Sequence, residues 1–154
     1  MKNLLKITAL CALAAAALLL CSCKTPAEKP PGLKVSNGID EIDAKQGTYS
    51  WRYGRDSGVD ADSIGPLACY TQGLLSQIKP AADGRLSLDF EKAPQTVEAS
   101  VYPESSAASE DYDSIQLRDM SGMTFTVPSD GMYIVNIHAI WDQGDCYYYF
   151  YTAP

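Results

Sequence analysis

His138 is the only histidine in this chain of 154 residues, so any imidazole chemistry must run through it. Cys69 or Cys146 could supply a nucleophile beside it, because a Cys–His pair needs only spatial adjacency. Nothing local supports that pair, and neither GxSxG nor HExxH occurs. One histidine and no CxxC leave no zinc pattern, so no metal and no cofactor are expected. Asp56, Asp60 and Asp62 share one loop with Gly58, and calcium takes six to eight oxygen ligands from such loops. Their spacing does not match an EF-hand, and a solvated loop is the expectation. The stretch from Glu104 to Asp113, ESSAASEDYD, reads as an exposed loop in which no carboxylate pair is marked out for glycoside hydrolysis.

Aromatic residues give the stronger binding signal. Tyr147-Tyr148-Tyr149-Phe150-Tyr151 fills one segment, and alternation sends Tyr147, Tyr149 and Tyr151 to one face. Tyr148 and Phe150 take the other face. One face must pack inward, and the other would display aromatics beside Trp51, Tyr53 or Trp141. Such a surface suits glycan stacking or protein contact. Packing alone also enriches strands in aromatics. Asn136 and His138 share a face with Ile134 and Ile140, while Tyr133, Val135, Ile137, Ala139 and Trp141 share the opposite one. The candidate binding residues are therefore Trp51, Tyr53, Asn136, His138, Trp141, Tyr147, Tyr149 and Tyr151.

These residues require β-strands to position them. Period-two patterns run over Thr48–Gly54, Arg85–Phe90, Thr96–Tyr102, Ser114–Arg118 and Met123–Val127. Met132–Trp141 and Cys146–Thr152, joined across DQGD, predict a hairpin. Gly58, Pro66, Pro80, Gly84, Pro94, Pro103 and Gly122 punctuate the strands. Leu67–Lys79 reads as a strand or a single helical turn. Short strands separated by turns predict an all-β, antiparallel sandwich of about seven strands over residues 48–154, close to the roughly 100 residues of an immunoglobulin-like domain.

The first twenty-three residues, MKNLLKITALCALAAAALLLCSC, have a different composition. Lys2 and Lys6 precede an apolar run from Ile7 to Leu20 that is short for a membrane span and fits an export signal helix. Leu20-Cys21-Ser22-Cys23 resembles the lipobox of bacterial lipoproteins. The resemblance implies cleavage after residue 22 and palmitate-type lipidation of Cys23, preferred over Cys21 because Leu20 would be bulky at that cleavage point. The expected location is the extracytoplasmic side of the cell membrane, held by an N-terminal lipid. Residues 23–47, with Pro26, Pro30 and Pro31, read as the lipidated cysteine and a stiff tether. Leu33, Val35, Ile39 and Ile42 within it could start a first strand. Outside the cytoplasm, Cys69 and Cys146 could form one disulfide.

The chain has 19 acidic and 12 basic residues, and residues 1–22 hold two lysines and no acid. The chain left by cleavage therefore has 10 basic and 19 acidic residues, a net charge of −9. Such a domain is repelled by nucleic acid and by anionic headgroups. Pro128-Ser129-Asp130-Gly131-Met132-Tyr133, leading into Val135, resembles the tyrosine corner of immunoglobulin-like domains, in which a tyrosine bonds back to upstream backbone. Val135 stands where antibody domains have their second disulfide cysteine. Pro128–Thr152 also resembles the closing hairpin of extracytoplasmic domains in Gram-positive lipoproteins and membrane sensors, whose functions are unassigned. Together these features lead to the expectation of a membrane-anchored lipoprotein with a non-catalytic binding or structural module, contacting an envelope protein or a cell-wall glycan. The competing expectations are a carboxylate-dependent envelope hydrolase and an accessory subunit of an envelope sensor complex.

Overall fold

The computed structural model describes residues 27–109, 115–117, 122–128 and 130–154. The signal segment, Cys23 and residues 110–114 of the acidic loop lie outside the described residues. The described chain forms two antiparallel sheets packed face to face. In chain order the elements are β1 (Leu33–Ser36), β2 (Glu41–Asp43), β3 (Lys45–Arg52), β4 (Gly58–Ala61), α1 (Pro66–Thr71), β5 (Gln77–Ile78), β6 (Arg85–Phe90) and β7 (Thr96–Pro103). After these come α2 (Ser106–Ser109), β8 (Ile115–Leu117), β9 (Thr124–Thr126), β10 (Tyr133–Trp141) and β11 (Gly144–Thr152).

The smaller sheet has the order β2-β1-β6-β9 and the larger one β4-β3-β11-β10-β7-β8. Short β5 lies parallel to the end of β11. The series β1-β6-β9 and β11-β10-β7-β8 reproduces the A-B-E and G-F-C-C′ orders of immunoglobulin-like sandwiches. Elements β2 to β5 are an insertion between the first two of those strands, and the eleven strands among the described residues exceed the expected seven because of it.

Alternation sets the core. Val135, Ile137, Ala139 and Trp141 of β10 face inward with Cys146, Tyr148 and Phe150 of β11, against Leu33, Val35, Leu86, Leu88 and Phe125 of the smaller sheet. Trp51, Phe90, Trp141 and Tyr148 meet edge to face at centroid separations of 5.6 to 5.7 Å. Each such aromatic contact adds about 0.5–1.5 kcal/mol beyond its area burial. The β10–β11 hairpin turns on Asp142 and Gln143, with Trp141 paired to Gly144. Gly144 has φ +144°, and a Cβ there would collide with the Ser50 carbonyl of β3, so this position requires glycine.

The domain begins earlier than residue 48. Pro30 and Pro31 are buried, β1 to β3 occupy 33–52, and the Tyr148 hydroxyl donates to the Pro31 carbonyl. The Trp51 indole donates to the Ala27 carbonyl at 2.8 Å. What reads as tether is thus docked on the sandwich by side chains remote in sequence. Leu67–Lys79 contains the six-residue helix α1, opened by Pro66 at its first position, followed by β5. Tyr133 stands at the start of β10 as a tyrosine corner requires, but its hydroxyl donates to Asp130 Oδ1 at 2.9 Å rather than to backbone. The nearby carboxylate is the stronger, charged acceptor, and it pushes the Tyr133 phenol pKa up.

Candidate functional site

The outer face of the larger sheet is divided in two. α1 packs over the end of β10 and β11 that carries Ile134, Tyr149 and Tyr151. Leu67 and Cys69 of the helix are buried there. The other half of the same face is left open.

Tyr149 and Tyr151 belong to the covered half. Tyr149 is 4% exposed and its ring lies over Gly47 of β3. A Cβ at Gly47 would sit 2.5 Å from the ring's Cε2. Tyr151 packs edge-on against Tyr70 at 5.2 Å, and its hydroxyl donates to Gln77 Oε1 at 2.8 Å. Neither is free to stack on a ligand.

Trp51 and Trp141 are not on a surface. They are 2% and 4% exposed, and the Trp141 indole donates to the Lys92 carbonyl at 3.0 Å. Their strand positions alternate with the outward residues, which turns both indoles into the core. Tyr53 is half-buried against the same core. The expected exposed aromatic array therefore reduces to one member, Tyr147.

Asn136, His138 and Tyr147 do come together, because register places Asn136 opposite Ser100 on β7 and His138 between Glu98 on β7 and Tyr147 on β11. The imidazole stacks on the Tyr147 ring at 4.3 Å with planes 8° apart. Its Nε2 hydrogen-bonds Asp145 Oδ2 at 3.1 Å, and its Nδ1 lies 3.9 Å from Glu98 Oε2. The ring is thus fixed from three sides. Beside it a cleft of about 210 Å³ is lined by Glu98, Ala99, Ser100, Tyr102, Asn136, His138 and Tyr147. Burial pushes the Tyr147 phenol pKa up, and the Asp145 and Glu98 carboxylates push it further in the same direction. Among the described residues, Asn136 Oδ1 is buried without a hydrogen-bond partner, and Asn136 Nδ2 has only a 3.5 Å contact with Ser100 Oγ.

Sequence reasoning missed Glu98, Ser100, Tyr102 and Asp145. Alternation along β7 could have grouped the first three, but only the β7–β10–β11 register brings them to His138.

The other candidates resolve separately. Cys69 and Cys146 are free, so the bridge considered from sequence is not formed. Cys146 points into the sandwich from β11 and Cys69 lies on α1, against the opposite face of the same sheet. Burial raises both thiol pKa values, that of Cys146 to about 12. Neither has the low pKa of an activated nucleophile. Asp60 lies on β4 rather than in the expected solvated loop, and its engagement by Ser50 at 2.7 Å and Arg52 at 3.1 Å holds its carboxyl pKa down. No group of three potential metal ligands occurs among the described residues. Ser76 and Lys79 stand at SxxK spacing, but extended β5 runs between them. In extended backbone, residues three apart project to opposite faces, so they form no dyad. A roomier cavity of about 500 Å³ lies where the β1–β2 turn meets residues 79–82 and Pro128. Its walls are mostly proline, alanine and Ile39, with Asn37, Asp40 and Lys79 as the polar members.

No family model, curated protein or solved structure matches this chain.

Proposed function

We propose that this chain is a lipid-anchored, extracytoplasmic binding module, and that it recognises its partner through the open half of the larger sheet's outer face. The carrying observation is the cleft at Asn136, His138 and Tyr147. It is concave and polar, and it sits on rigid strands beside a face that is otherwise covered. A non-catalytic role is supported by the burial of both thiols away from His138 and by an imidazole whose two nitrogens face carboxylates.

Anchoring rests on the lipobox resemblance. Cys23 stands four residues before Ala27, whose carbonyl is held by Trp51. Four residues reach about 14 Å at most. A lipid on Cys23 would hold the sandwich close to the bilayer by its Trp51 end.

The test has two arms. The intact chain should partition into detergent and take up labelled palmitate, and Cys23→Ser should do neither. In the second arm, His138→Ser with Tyr147→Ser should abolish retention on isolated cell envelopes while the unfolding midpoint stays near that of the parent. Unchanged retention by the folded double variant sinks the binding reading.

A further inference from the structure

We infer that the cleft beside His138 is a subsite for an organic cation bearing N–H donors, the ammonium or guanidinium head of a lysine or arginine side chain. This inference rests on the binding reading above and names the chemistry that fills it.

The lining supplies acceptors and negative charge in excess. The Glu98 side chain is 67% exposed at the rim, and among the described residues its one ion-pair contact is the long one to His138 Nδ1. Among the described residues, no lysine or arginine lines the cleft to neutralise it. Ser100 Oγ adds an acceptor at the wall, and the Tyr147–His138 stack adds an aromatic surface of the kind that attracts cations.

Asn136 is the independent observation. A buried carbonyl oxygen without a donor loses the hydrogen bond it would make in water, which is unfavourable unless a ligand restores it. Its amide is held only by the loose 3.5 Å contact to Ser100, near the limit of a hydrogen bond, so it can turn to present the oxygen to an incoming N–H. An anion would meet Glu98 and this oxygen, both repulsive to it. An apolar group would leave the oxygen unsatisfied. A cation with donors satisfies both.

Size and field agree. About 210 Å³ is below the roughly 300–1,000 Å³ of drug-sized sites, and it suits one side-chain head. The net charge of −9 beyond the signal steers cations toward the domain.

The single histidine makes the experiment direct. Histidine-labelled full-length protein in non-ionic detergent micelles gives one imidazole signal, read at constant pH. The probes are n-butylammonium and Nα-acetyl-lysine amide, with 1-butanol and acetate as neutral and anionic counterparts. Both amines should shift the signal saturably, more weakly at high salt, and Glu98→Gln should weaken them about tenfold, a loss of about 1.4 kcal/mol. Asn136→Leu should weaken them while leaving the unfolding midpoint near that of the parent or above it. Saturable shifts by 1-butanol or acetate but by neither amine overturn the cation assignment and leave the binding surface standing. No saturable shift from any probe overturns both. Amine shifts equally strong in Glu98→Gln place the amines elsewhere and also overturn the assignment.

Discussion

Gly47→Ala tests whether the outer face is divided as described. The substitution adds one methyl group to β3, where ordinary surface positions accept alanine without loss. Here the new Cβ would stand 2.5 Å from Tyr149 Cε2 and 2.6 Å from its Oη. Comfortable carbon contacts are about 3.5–4.0 Å, so the ring must retreat by about 1 Å or more. It has nowhere to go, because Tyr149 is buried under α1 with Leu67 and Cys69 also buried there. Overpacking of this kind costs about 1–3 kcal/mol. Alanine's smaller unfolded-state entropy returns about 0.4–1 kcal/mol. The net loss expected is about 1–2 kcal/mol. Tyr149→Ala alone should cost about 3–5 kcal/mol, as truncation of a buried aromatic does. With the ring gone, Gly47→Ala should become neutral or stabilising. Urea unfolding of the four proteins, followed through the buried Trp51 and Trp141, measures the coupling. An equal cost for Gly47→Ala in both backgrounds would refute the packing of Tyr149 over Gly47.

The interior carries two further expected outcomes. Cys69 and Cys146 should stay unreactive toward a disulfide reagent in the native protein and both react in urea; one rapidly modified native thiol, or a bridged form on a non-reducing gel, contradicts their placement. Stability should also fall in alkali. Cys146 rises from its ordinary 9.0 to about 12 in the fold, so its contribution is complete below pH 9 and is lost as pH climbs toward 12. Three pH units correspond to something on the order of 4 kcal/mol. Tyr148 is raised in the same sense. Cys146→Ala should flatten the unfolding midpoint between pH 9 and 11, and an unchanged slope contradicts the burial argument.

What alternation alone could establish, the sequence carried. The two faces of β10 and the split of Tyr147, Tyr149 and Tyr151 from Tyr148 and Phe150 depend only on neighbours along the chain, and the structure has both, while which face turns inward did not follow from alternation. The sandwich class follows from the same signal. Three things were not legible, each because it depends on distant residues. Pro30 and Pro31 read as linker because their burial depends on β11, whose Tyr148 holds the Pro31 carbonyl. Trp51 and Trp141 read as ligand-stacking candidates because nothing local says that both indoles find backbone acceptors, at Ala27 and Lys92, inside the fold. Asp145 and Glu98 could not be joined to His138 before the register of three strands was known.

The least legible element, α1, is also the one that defines the site. Without it the outer face would expose Ile134, Asn136, His138, Tyr147, Tyr149 and Tyr151 together, a broad and mostly apolar surface of the kind that binds protein with little discrimination. Six residues opened by Pro66 cover Ile134 and Tyr149 and engage Tyr151 through Tyr70. What stays open is the polar half, where Asp145 and Glu98 flank one imidazole and Asn136 lacks a donor. The insertion between β1 and β6 thus changes the chemistry of a surface that β7, β10 and β11 would otherwise present as aromatic. A recognition site made this way selects by charge and donor count rather than by apolar area. That is the sense in which an acidic domain that buries most of its aromatic strand can still be specific.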